Sequence, residues 1–153
     1  MTRIRAGVVD VYVIRPVSRS WRVLALRRAR GTRSTGSWET VHGRIERDEK
    51  PPAAAVRELR EETGLSAERL YSITVNPFYL NASDSVQLAV VFAAFVDVAA
   101  VRLGDEHDAF EWLTVARAAS RFTWPREGEA LAHIRKLLSR GNAGVVEDVL
   151  RVQ

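Results

Sequence analysis

The stretch Gly43 to Leu65, GRIERDEKPPAAAVRELREETGL, constrains the fold more than any other part of the chain. Pro51 and Pro52 stand where a first helical turn begins, alanines follow, and Gly64 stands where the helix must stop. The spacing predicts a helix from Pro52 to Thr63. At about 3.6 residues per turn, Glu58, Glu61 and Glu62 share one side of it, while Ala55 and Leu59 point elsewhere, into a core. Three carboxylates within one turn repel one another unless cations neutralise them. Arg57 and Arg60 can do this locally, as on any solvated charged face, and a hard divalent metal can do it more completely.

The wider spacing separates these readings. Gly43, Glu49, Arg57, Glu58, Leu59, Glu61, Glu62, Gly64 and Leu65 satisfy G-x5-E-x7-R-E-U-x-E-E-x-G-U, with U an apolar aliphatic residue. A pattern this long arises by accident on the order of once in a billion placements or less at average residue usage. It resembles the signature of the Nudix hydrolases at every specified position. Members of that family cleave a pyrophosphate linkage in a nucleoside diphosphate joined to another group, usually with magnesium or manganese. The resemblance implies an α/β fold, the Nudix α/β/α sandwich with a mixed β-sheet between helices, and two or more Mg2+ or Mn2+ ions. It implies Gly43, Glu58, Glu61 and Glu62 as metal ligands, Gly43 through its carbonyl. Arg57 would orient the catalytic carboxylates Glu58, Glu61 and Glu62, pairing with Glu49 or Glu61.

Composition narrows the remaining classes. The chain has 153 residues, 46% of them hydrophobic, which suits one domain over 1–153 with its own core. Without cysteine there is no disulfide or thiolate metal site, so metal ligands must be oxygens or the three histidines. No apolar run spans a bilayer and MTRIRAGVVD lacks the apolar block of a signal peptide, so the expectation is a cytoplasmic protein without a membrane partner. The net charge of +4 invites a nucleic-acid reading, but the arginines are scattered, and a polyanionic small substrate uses the same charge. The expected partner is a nucleotide or polyphosphate, with RNA admitted only through a 5′ triphosphate end. Oligomeric state is left open, a homodimer included.

Along the chain, Ile4 to Ile14 and Trp21 to Arg28 read as strands, Trp38 to His42 as a short strand, and Leu70 to Phe78 and Val86 to Val96 as a further pair. Phe110 to Thr114 reads as a last strand, and Glu127 to Ser139 as a helix covering the sheet opposite the first helix. Arg117 to Pro125 reads as a connection between them.

Family resemblance adds three expectations. Arg28, at the end of the second strand, matches an arginine that holds phosphate, with Arg27 directed to the other face. Val41 and His42 replace a common Pro-Gly run before the box glycine; His42 then contacts a phosphate or hydrogen-bonds the loop, and Trp38 contacts substrate or packs. Glu106, six residues before Trp112, matches a further metal carboxylate from a loop, with a solvated acidic loop as the alternative. His107 reads as a structural or surface histidine.

The activity this predicts is hydrolysis of a nucleoside (deoxy)triphosphate to the monophosphate and pyrophosphate. Dinucleoside polyphosphates and RNA 5′ ends are the rival substrates, and a nucleotide-sensing module without turnover is the rival class.

Overall fold

Strand β1 (Arg3–Val17) is built from the apolar run around VVDVYVI, and its alternation feeds two cores at once: Val9, Val11 and Val13 on one face, Tyr12 and Ile14 on the other. Burial on both faces is what a central strand with a parallel neighbour requires. That neighbour is β6 (Ser85–Phe95), which pairs in turn antiparallel with β5 (Arg69–Leu80). The computed structural model describes residues 1–153.

The opposite edge of β1 is divided. Strand β2 (Ser20–Arg28) pairs with Ile14–Val17, whereas β4 (Val41–Arg44) pairs with Val8–Val11. Strand β3 (Trp38–Glu39) pairs with β2 at Leu26 and Arg27, and β7 (His107–Leu113) lies along the other edge of β2. The seven-stranded sheet is therefore mixed and forks between β1 and β2.

Residues 38–44 bridge that fork, which corrects the expectation of one strand from Trp38 to His42. The segment changes partner at Thr40, whose N–H donates to Glu127 Oε2 at 2.6 Å and whose hydroxyl donates to the Val11 carbonyl at 2.5 Å. Both groups are buried, so the bonds replace those the broken ladder loses.

Helix α1 (Pro51–Thr63) covers one face, with Ala54, Ala55 and Leu59 packed against Val9, Val11, Leu24 and Leu26. It ends at Gly64, whose left-handed φ of 73° suits glycine and whose N–H closes on the Arg60 carbonyl at 2.8 Å. Helices α2 (Val115–Arg121) and α3 (Pro125–Leu138) cover the opposite face, where Ala118, Ala130, Leu131 and Ile134 meet Tyr12, Ile14 and Val91. The result is the expected α/β/α sandwich.

Helix α2 occupies the stretch read as a connection. It has seven residues and buries only Ala118, too little to leave a helical period in the sequence; Thr114 caps it by accepting the Arg117 N–H. Strand β7 also begins three residues before the expected Phe110. Helix α4 (Glu147–Leu150) precedes a tail that lies along β5, where the Val152 N–H donates to the Leu70 carbonyl at 2.9 Å.

Ile134 is fully buried under α3, on the face away from the α1 carboxylates. Ile134→Ala is expected to cost about 2–5 kcal/mol in chemical denaturation while leaving the kcat of the folded protein unchanged.

Candidate active site

Packing of Ala55 and Leu59 fixes the rotation of α1 about its axis, which leaves Glu58, Glu61 and Glu62 facing a cleft of about 980 Å³ at the sheet fork. Gly43 and His42 of β4, Arg28 of β2 and Glu106 line the same cleft. The cleft thus collects all three signature carboxylates and the loop carboxylate expected to join them.

The carboxylates differ sharply in environment. Glu62 is buried; its Oε2 accepts the His42 N–H at 3.4 Å and its Oε1 has no partner. Burial pushes its carboxyl well above the usual range, and the negative charges of Glu39, Glu58 and Glu106 add to this. Burial also raises Glu58, against the opposing pull of Arg57. Glu61 is the exposed member, with its side chain 59% accessible.

Arg57 sits behind the carboxylates and ties them together. Its Nε and Nη2 form a two-pronged contact with Glu49 at 2.9 and 2.8 Å, and Nη2 also donates to the Arg44 carbonyl at 2.8 Å. Nη1 donates to Glu58 Oε1 at 2.7 Å and to Glu61 Oε2 at 3.3 Å. Hydrogen bonding to Arg57 holds the Glu49 carboxyl down to about 2. Loop 44–49 and the helix are therefore pinned by one guanidinium. Arg57→Lys keeps the charge but loses the planar fork, and is expected to lower kcat by roughly 10–100-fold, read by steady-state kinetics with a melting curve as control.

Gly43 allows the strand to approach the helix. A Cβ at this position would overlap the Glu58 carboxylate, so the strand and the carboxylate can lie this close only because the residue is glycine.

These groups fit a hard divalent cation. All donors are oxygens, one buried carboxylate oxygen lacks any partner, and burial together with neighbouring like charges raises the Glu58 and Glu62 carboxyls. With Glu58 and Glu61 turned toward Arg57, no three histidine, aspartate or glutamate side chains converge on a single point. A cation would draw them from that guanidinium.

The expected substrate contacts are placed less uniformly. Arg28 lines the cleft but is 5% exposed; its Nε donates to the Arg33 carbonyl at 3.1 Å and lies 3.4 Å from Glu39, with Nη1 3.7 Å from Glu106. The more accessible cleft cation on that side is Arg33, half-exposed and bonded to Glu39 at 3.1 Å, which loop composition alone did not distinguish. Arg27 does point to the other face, where it pairs with Asp108 at 2.7 Å.

Trp38 is the correction. It pairs with Arg27 in the β2–β3 register and so faces away from the cleft, with its ring 6.0 Å from the Arg27 guanidinium and 4.8 Å from that of Arg121. It packs against the core under α2 and α3, so of the two roles open to it the structure supports packing. His107 is buried 3.7 Å from Glu39 while also lining the cleft.

The other end of the cleft went unread in the sequence. Phe78, Trp124 and Arg126 form a wall there, with the Arg126 guanidinium 4.4 Å from the Phe78 ring centre and 5.8 Å from that of Trp124. His42 stands between this wall and the carboxylates, 6.3 Å from Phe78 and with Nδ1 2.5 Å from the buried Asp10. A lone carboxylate within VVDVYV was the available signal, since such a group needs a partner to be buried.

A family model of the NUDIX domain matches residues 4–134. The chain belongs to the Nudix family. An octanoyltransferase of Myxococcus xanthus is 40% identical over 116 residues, 74% of this chain and 32% of that protein. A MutT-like protein of Streptomyces ambofaciens is 33% identical over 116 residues, 76% of this chain and 66% of that protein. The Nudix chain thus spans under two thirds of either relative. An Ap4A hydrolase of C. elegans, solved as a binary complex, superposes with a TM-score of 0.72 at 18% identity, covering 92% of this chain and 99% of that one, which shows a shared fold. Nudix hydrolases generally use divalent ions such as Mg2+ or Mn2+, in keeping with the oxygen-rich cleft. No helix is long and apolar enough to cross a membrane.

Proposed function

We propose that this chain is a divalent-metal-dependent pyrophosphohydrolase that cleaves a nucleoside (deoxy)triphosphate to the monophosphate and pyrophosphate by attack of water on phosphorus. The observation that carries this reading is a single cleft lined both by the carboxylates Glu58, Glu61, Glu62 and Glu106 and by the aromatic side chains of Phe78 and Trp124. A nucleotide has the matching polarity, a polyanion joined to a flat ring.

Glu58, Glu61, Glu62 and Glu106, with the Gly43 carbonyl, are the groups that would hold Mg2+ or Mn2+. Bound there, the metal supplies neutralisation of the phosphoryl charge and acidification of water. The protein's own part is positional. Arg57 holds Glu58 and Glu61 together at the edge of the cleft, and a cleft carboxylate takes the proton of the attacking water. Arg33 and Arg44, both lining the cleft, offset the negative charge of the phosphates, with Arg28 holding Glu39 beneath them. Phe78 and Trp124 exclude water from the base and stack on it, at about 1–3 kcal/mol per stacked base.

The size of the cleft favours a dinucleoside polyphosphate as the second reading, and the C. elegans protein of the same fold is named for such a substrate. Turnover in 18O-labelled water tests the reaction itself. Hydrolysis at phosphorus places one labelled oxygen in a phosphate-bearing product; absence of label from all such products contradicts the proposal.

A further inference from the structure

His42 lines the cleft with its backbone on Glu62 and its ring 6.3 Å from Phe78, and β1 holds the ring in place. Asp10, 1% exposed in β1, lies 2.5 Å from His42 Nδ1 through Oδ1, while its Oδ2 faces Arg126 Nε at 3.6 Å. A carboxylate can only accept, so Nδ1 carries the proton of this bond and the ring orientation is fixed. The backbone fixes it again: the His42 N–H donates to Glu62 at 3.4 Å, and Asp10 and His42 are direct partners in the β1–β4 register.

The hydrogen bonds of His42 run through its N–H and Nδ1, which leaves Nε2 without a protein partner, and the ring lines the cleft between Glu62 and Phe78. On the nucleotide reading above, on which this inference rests, the phosphates lie at one side of this ring and the base at the other. The part of the substrate left for the ring is the sugar. We propose that His42 Nε2 hydrogen-bonds a hydroxyl of the substrate's ribose, and that Asp10 is the positioning residue that presents it. A hydroxyl both donates and accepts, so the contact forms with either protonation state of Nε2.

The test is calorimetric binding with Mg2+ of the α,β-methylene triphosphates of adenosine, guanosine, cytidine and uridine. The tightest of these is then compared with its 2′,3′-dideoxy counterpart and with inorganic tripolyphosphate. Wild-type protein is expected to prefer the hydroxylated nucleotide by about tenfold, the effect of one hydrogen bond. His42→Phe and Asp10→Ala are expected to bring that ratio close to one while tripolyphosphate affinity stays within about twofold. Asp10→Asn, whose amide oxygen still accepts from Nδ1, should keep the preference. A merely structural role for Asp10 would not separate the two Asp10 variants in this ratio.

Should Asp10→Ala not fold, His42→Phe carries the test, because its ring is partly exposed. An unchanged ratio in His42→Phe overturns the proposal, as does an equal loss of tripolyphosphate affinity, which would place the contact on phosphate. Failure of all four nucleotides to bind, with tripolyphosphate bound, instead removes the nucleotide reading and this inference with it.

Discussion

The Glu61→Gln, Glu62→Gln double variant is expected to lose turnover by roughly 10³-fold or more while remaining folded. Removing the negative charge of the buried Glu62 and of the exposed Glu61 leaves two of the four carboxylates proposed to hold the cation, Glu58 and Glu106, too few to gather it against a polyphosphate. The same change should stabilise the metal-free protein. Burial raises the Glu62 carboxyl above its unfolded value, so between those two values the folded chain binds more protons than the unfolded one. Stability therefore falls as pH rises through that window, and a neutral amide removes this loss. Metal-free melting curves of the single Glu62→Gln variant should show a higher Tm than wild type above pH 5, by a few degrees on the order of 1 kcal/mol, with the difference shrinking toward pH 4. An active double variant, or a Glu62→Gln variant less stable than wild type above pH 5, would remove Glu62 from the role given to it.

Gly43→Ala is the second large effect. A methyl group at this position meets the Glu58 carboxylate, which is the far end of a side chain and can move. The fold should survive, but Glu58 must leave the strand that it now abuts. Displacement of a catalytic group by about 1 Å can cost on the order of 100-fold in rate. The expected result is a loss of that size in kcat with a Tm close to wild type. Partial recovery at high Mn2+ would place the defect at the cation ligands, and wild-type kcat would show that the close packing of Gly43 on Glu58 has no catalytic part.

Legibility in the sequence followed how locally each feature is encoded. The carboxylate end of the cleft depends on one helix, and the spacing of Glu58, Glu61 and Glu62 against Ala55 and Leu59 was enough to orient it. Alternation along β2 likewise separated Arg28 from Arg27. Trp38 shows where that reasoning stopped. Its side of the sheet depends on its pairing with Arg27, and the segment that carries it changes partner at Thr40 for a reason that lies at Glu127.

The wall of Phe78, Trp124 and Arg126 was harder still, because it joins β5 to the start of α3 and no local period links them. Asp10 and His42 meet only because β4 pairs with the first half of β1 after β2 has taken the second half. Short, weakly buried elements such as α2 leave no pattern to read.

The most direct measurement is product analysis for a panel of nucleoside triphosphates and dinucleoside polyphosphates with Mg2+ and with Mn2+, run beside the Glu61→Gln, Glu62→Gln variant. The account predicts metal-stimulated release of a nucleoside monophosphate and pyrophosphate from at least one triphosphate, absent in the variant. Folded wild-type protein that binds metal and nucleotide yet releases neither product from any member of the panel would contradict it.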